Sequence, residues 1–127
     1  MANFDQLLEA SRHQSQPQRL LLLFAKATPL ENSVQTKHQS GIIEPIMCVD
    51  KLPAEIASFE SLVLEADAIS NKWDFIFISS LSGAGGVPPT SQDAESHLSK
   101  MTNNLASGKD VSSYIVLDRS QRQVTLG

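Results

Sequence analysis

The chain has one cysteine, Cys48, among 127 residues. A single thiol cannot close a disulfide within the chain, and it cannot by itself build a thiolate metal centre. Long apolar runs are also missing. The longest, Leu20 to Ala25, falls far short of the roughly 20 residues that span a bilayer. The 10 Lys and Arg residues are scattered singly and are outnumbered by 14 Asp and Glu. A net charge of −4 without a basic patch argues against a nucleic-acid partner, and no membrane partner is expected. The opening residues, Met1 to Asp5, lack a basic segment followed by an apolar one. No secretory leader is therefore expected, and a cytoplasmic protein is predicted.

What is present suits a packed globule. A hydrophobic content of 41% with 19% charged residues is that of a folded chain, not a disordered one. The length predicts a single α/β domain over residues 1–127.

Asn3 is placed to cap a first helix, and Gln6, three residues on, to complete a capping box. Phe4, Leu7, Leu8 and Ser11 share one face of that helix, which ends before Pro17. The six consecutive apolar residues from Leu20 to Ala25 predict a strand covered on both faces. Residues 28–41 are polar and aperiodic, and predict an exposed loop. A second strand is predicted over Ile42 to Val49. Pro45 removes a ladder donor there, so this strand starts late, bulges or lies at an edge.

Pro53, a favoured first helical residue, opens a second helix with the apolar stripe Ile56, Phe59, Leu62, Val63, Ala66 and Ile69. A third strand, Asp74 to Ser80, runs into Ser82-Gly83-Ala84-Gly85-Gly86. A third helix follows from Ser91 to Ser107, with Ala94, Leu98, Met101 and Leu105 on one face and Gly108 as its stop. Tyr114 to Asp118 predicts a fourth strand, and Arg122 to Leu126 a returning arm. A central β-α-β-α-β order calls for right-handed crossovers. The expected fold is a small α/β sandwich: a mixed, mainly parallel sheet of four to five strands, three helices and a C-terminal β-hairpin.

Strand ends of a parallel sheet share one edge, and open α/β sheets bind ligands outside it. That edge would collect Cys48, Asp50 and Lys51, then Ser79, Ser80 and Ser82, then Asp118 and Arg119. With the backbone of Gly83, Gly85 and Gly86, these residues form a candidate small-molecule pocket. Each has a structural alternative. Asp50 is also placed to accept N–H groups at the start of the second helix. Asp118 and Arg119 also suit the opening of a hairpin turn, and the glycines also suit positive φ angles in an irregular loop.

Cys48 fits a half-buried packing role better than a nucleophile's, because none of His13, His38 and His97 is placed beside it. Trp73 is expected to seal the start of the third strand against the second helix. The glycine loop lacks both the Gly-Lys-Ser/Thr ending of a phosphate-binding loop and the spaced dinucleotide fingerprint. Thr90, Asp93 and Glu95 supply the next helix start with a cap and negative charge, which disfavours a phosphate. No His, Cys and carboxylate grouping has metal-ligand spacing, so no metal or cofactor is predicted.

The segments Gln16-Pro17-Gln18-Arg19-Leu20-Leu21, Met47-Cys48-Val49-Asp50-Lys51, Ser82-Gly83-Ala84-Gly85-Gly86, Pro89-Thr90-Ser91 and Leu117-Asp118-Arg119 resemble a group of short bacterial proteins. Members often carry the label "ribonucleotide reductase subunit alpha". The resemblance implies a stand-alone bacterial domain and assigns no catalytic residue. The labelled activity needs a radical-bearing cysteine and a redox-active pair, on a barrel several times this length. One cysteine does not supply them, and that activity is rejected.

With no catalytic constellation and a long polar loop, the chain reads as a non-catalytic binding or protein-interaction module. Edge pairing through the C-terminal arm would make a homodimer. The alternative is a small-molecule enzyme or sensor that uses the Asp50, Ser82 and Asp118 edge.

Overall fold

Leu20 to Ala25 have no polar alternate, and all six side chains are buried. They form the middle of β1 (Gln18–Pro29) in a computed structural model that describes residues 4–29, 41–107 and 114–124. The other strands are β2 (Gly41–Lys51), β3 (Phe75–Ser82) and β4 (Ile115–Asp118). They lie in the order β2-β1-β3-β4, and every neighbouring pair is antiparallel. This overturns the mainly parallel sheet expected from the element order. β2 and β3 do run in the same direction, but β1 is inserted between them and opposes both. β4 lies beside the first half of β3, entering with Ile115 opposite Ile78, and runs the other way.

Successive side chains of β1 serve two different cores. Leu20, Leu22 and Phe24 join Ile76, Ile78 and Leu117 in a cluster with residues of α1 (Phe4–Arg12) and α2 (Phe59–Ile69). Leu21, Leu23 and Ala25 join Phe77 and Val116 in a cluster with α3 (Ser91–Ala106). The sheet is the middle of three layers, so its central strand has no wet face to mark with polar residues.

The helices follow their stripes. α1 buries Phe4, Leu8 and Ser11, and α3 buries Ala94, Leu98, Met101 and Leu105. α2 begins later than Pro53. Pro53–Glu55 forms one 3₁₀ turn, and Ser58 then caps α2 through reciprocal hydrogen bonds with Ser61. Two satisfied backbone donors outweigh the mild preference for proline at a helix start. Ile69, placed on the apolar stripe by spacing, is 75% exposed.

Pro45 marks both an edge and a bulge. The register passes from Phe24 opposite Met47 to Ala25 opposite Pro45, leaving Ile46 as the extra residue of an outer strand. The C-terminal arm returns along β4 with a single bridge, Leu117 to Gln123, and Val124 N–H donates to the Val116 carbonyl at 2.8 Å. Of the predicted loop at 28–41, the ends belong to β1 and β2, where Pro29 pairs with Gly41; the remainder lies outside the described residues. Asn3, His38, Gly108 and the end of the returning arm lie outside them too. Among the described residues, no helix is long and apolar enough to cross a membrane.

Candidate functional site

Because β2 and β3 share a direction, their C-terminal ends meet around the start of β1. Asp50, Lys51, Ser79, Ser80, Ser82 and Gly83 therefore come to one end of the sheet, whereas Cys48, opposite Leu23 and level with Phe77, lies at mid-strand. Asp118 pairs with Phe75 at the other end, so Asp118 and Arg119 are separated from the rest. The single edge expected for a parallel sheet becomes two separate polar clusters.

Arg19 organises the near cluster, although it carries no motif of its own. Its Nη1 donates to Asp50 Oδ2 at 2.6 Å and its Nε to the Pro89 carbonyl at 2.7 Å. The Ser91 hydroxyl donates to the same Asp50 oxygen at 2.7 Å. The arrangement ties β1 and β2 to the start of α3. Asp50 does not cap the turn after β2, because Glu55 accepts the Leu52 N–H there at 2.7 Å. The signal for Arg19 is its place directly before a doubly covered run, where a charge needs a partner.

The pair is largely covered, with side chains 12% and 18% exposed. Asp50→Ala is expected to cost about 1–3 kcal/mol, between the values for surface and buried pairs, because it strands the guanidinium. Calorimetry should show a melting point lower by several degrees. An unchanged melting point would reduce the pair to a surface contact.

On the other face, Gln18 is buried and holds the two serines of β3. Ser80 donates to its Oε1 at 2.6 Å, while its Nε2 donates to Ser82 Oγ at 2.9 Å and the Gln16 carbonyl at 3.0 Å. Lys51 reaches Glu65 of α2 at 2.9 Å.

The glycine loop is a tight turn. Gly85 and Gly86 have φ of 60° and 79°, and Ala84 and Val87 exchange N–H···O bonds of 3.1 and 3.0 Å around them. Positive φ at both central positions is the two-residue turn that Gly-Gly favours. Gly83 N–H donates to the Pro17 carbonyl at 2.8 Å, and Gly86 N–H to Gln16 Oε1 at 2.9 Å. Four N–H groups of the loop are thus engaged by the fold. Beside the turn lies an open concavity of about 630 Å³, lined by residues that include Ser82, Gly83, Asp93, Ser96 and His97. The Thr90 N–H, above all, holds the Asp93 carboxyl below its ordinary range, followed by the Thr90 hydroxyl; burial opposes them, and Arg19 and His97 add to the lowering. The carboxylate of this concavity is already engaged in the α3 capping box, where it accepts the Thr90 N–H at 3.0 Å.

Trp73 anchors the far cluster, 1% exposed and edge-on to Phe24 at 5.0 Å. Its indole N–H donates to Asp67 Oδ1 at 3.0 Å. The Arg119 guanidinium lies 3.8 Å over the Trp73 ring and donates to both Asp67 oxygens at 3.1 and 3.2 Å. It also reaches the Trp73 and Asn71 carbonyls at 3.0 and 2.8 Å. The Arg119 hydrogen bond is the main reason the Asp67 carboxyl sits below its ordinary range. Asp118 accepts the Ser120 and Arg122 N–H groups at 2.8 and 2.9 Å, which makes it the opening residue of the returning turn. Burial, the largest influence on that carboxyl, raises it. Those N–H bonds and the Arg122 charge outweigh burial, and the net direction is down.

Cys48 is exposed, not half-buried. It sits on an outer strand that α3 covers from one side only, beside an open groove of about 250 Å³ lined in part by Ser99, Thr102 and Asn103. Among the described residues, no three of His, Cys, Asp and Glu gather as a metal ion requires. No family model, curated protein or solved structure matches this chain.

Proposed function

We propose that the chain is a cytoplasmic, non-catalytic protein-interaction module that works through the outer edge of β2. One observation carries the reading. Among the described residues, β2 is 11 residues long and has only β1 beside it, whereas the opposite outer strand, β4, has four residues and is partly covered by the returning turn. A long unpaired edge offers backbone N–H and C=O groups for strand addition. The polar groups at the two sheet ends support the same reading, because they bond chiefly to one another.

A photo-crosslinking residue at Glu44, exposed on β2, should form a protein adduct in cells. The same residue at Glu60, exposed on α2, should not. Equal capture at both positions, or none at Glu44, would overturn the edge.

The concavity beside Ser82 and Gly83 favours a second reading, a small-molecule enzyme or sensor. A thermal-shift panel of nucleotides, sugar phosphates, amino acids, coenzymes and divalent metals tests it. A ligand at a hundred times its Kd stabilises the native state by about 2.7 kcal/mol. A silent panel removes the reading.

A further inference from the structure

We propose that the partner at the β2 edge is a second copy of this chain, paired antiparallel with its own β2 about a two-fold axis at Cys48. The inference rests on the interaction-module reading and names its partner. Two four-stranded sheets would then join into one continuous sheet.

The register follows from the bulge. Ile46 is the extra residue, so Met47 and Pro45 occupy successive ladder positions. With Cys48 facing Cys48, Met47 faces Val49, Pro45 faces Asp50 and Glu44 faces Lys51. The faces agree. Met47 and Val49 both pack toward the α1–α2 core, and Lys51 points the same way to Glu65 of α2. Glu44 lies opposite Lys26 of β1. The charges therefore alternate across the junction: Lys26, Glu44, then Lys51 and Glu65 of the second copy. Lys51 has three donors, so it can hold both carboxylates.

Other registers lose this match. An axis at Met47 sets Glu44 against Val49, and an axis at Val49 sets Lys51 against Met47. Only the Cys48 axis pairs opposite charges, which favours an antiparallel ladder. Pro45 removes one outer donor but leaves the central pairs intact. Cys48 is exposed and borders the open groove that α3 lines with Glu95, Leu98, Ser99, Thr102 and Asn103, on the side from which the second strand would approach. A two-fold contact of this kind is self-complementary and closes at two copies.

The test combines sedimentation with thiol trapping of the whole chain. Facing residues in an antiparallel pair have Cα atoms about 4.5–5.5 Å apart, within the range of about 4.4–6.8 Å that a disulfide accepts. Diamide should take two electrons and two protons from two Cys48 thiols, becoming the hydrazine as the S–S bond forms. A covalent dimer is expected from the wild type, and none from Cys48→Ser carrying Glu60→Cys. Glu44→Lys should weaken self-association about tenfold, since it reverses two symmetric charge pairs. Cys48→Lys, at an exposed position, should give a folded monomer by circular dichroism because it sets like charges at the axis.

A wild-type chain that is monomeric at every concentration overturns the second copy. The adduct at Glu44 then decides separately whether a different protein uses the edge. A dimer that resists both Cys48 trapping and Glu44→Lys overturns the register.

Discussion

Replacing Trp73 with alanine is expected to destabilise the domain by about 3–5 kcal/mol, the range for deleting a buried aromatic side chain. The indole is nearly inaccessible and meets Phe24 edge-on, so its removal opens a cavity between the sheet and α2. It also takes the platform from beneath Arg119 and a donor from Asp67. Trp73→Phe keeps a ring and loses the N–H, and should cost less, about 1–2 kcal/mol. Urea unfolding followed by circular dichroism is the suitable measurement, because Trp73 is the only tryptophan and its fluorescence disappears with it. A loss below about 1 kcal/mol for the alanine variant would show that the Asp67–Arg119 cluster does not depend on the ring.

Gly83→Ala should be nearly as damaging, at about 2–4 kcal/mol. A Cβ at Gly83 would overlap the Val87 carbonyl oxygen and approach the Pro17 oxygen and Pro88 Cα to 3.0 Å. All three are backbone atoms, so no side-chain rotation relieves the contact. Gly85 and Gly86 differ, because an added Cβ meets no atom within 4 Å at either position. Their cost is conformational only, about 1 kcal/mol each for a non-glycine residue at positive φ. Melting points of the three alanine variants should therefore rank Gly83 well below the other two. Equal melting points would mean that the segment from Pro17 to Pro88 yields easily.

Local patterns announced most elements of this fold. The uninterrupted run in β1, the Phe4-Leu8-Ser11 face, the Thr90 cap with its α3 stripe and the proline in β2 all appear where spacing places them. Pairing was not legible, because no local pattern says which strand lies beside which. A β-α-β-α-β order is satisfied equally by neighbouring parallel strands and by strands with a third between them; here β1, made earlier, fills the gap between β2 and β3. That one insertion also shaped the candidate site. It kept Asp50 and Ser82 at one end, while the antiparallel pairing of β4 with β3 sent Asp118 and Arg119 to the other. The Asp118 turn was readable as a hairpin opening, whereas the Arg19–Asp50–Ser91 link joins residues too distant in the chain for any motif to reveal.

The central position of β1 has a consequence during synthesis. Gln18 and Ser82, bonded across β1 and β3, are 64 positions apart in the chain. At about 5–20 residues per second, β1 leaves the ribosome roughly 3–13 seconds before this partner exists. Through that interval Leu20 to Ala25 is an apolar, proline-free and uncharged hexapeptide, the composition that favours aggregation. Arg19 and Lys26 stand immediately on either side of it. Charges that flank such a window act as gatekeepers against intermolecular stacking. Arg19 thus shields the nascent strand as a free cation before Asp50 binds it in the native state.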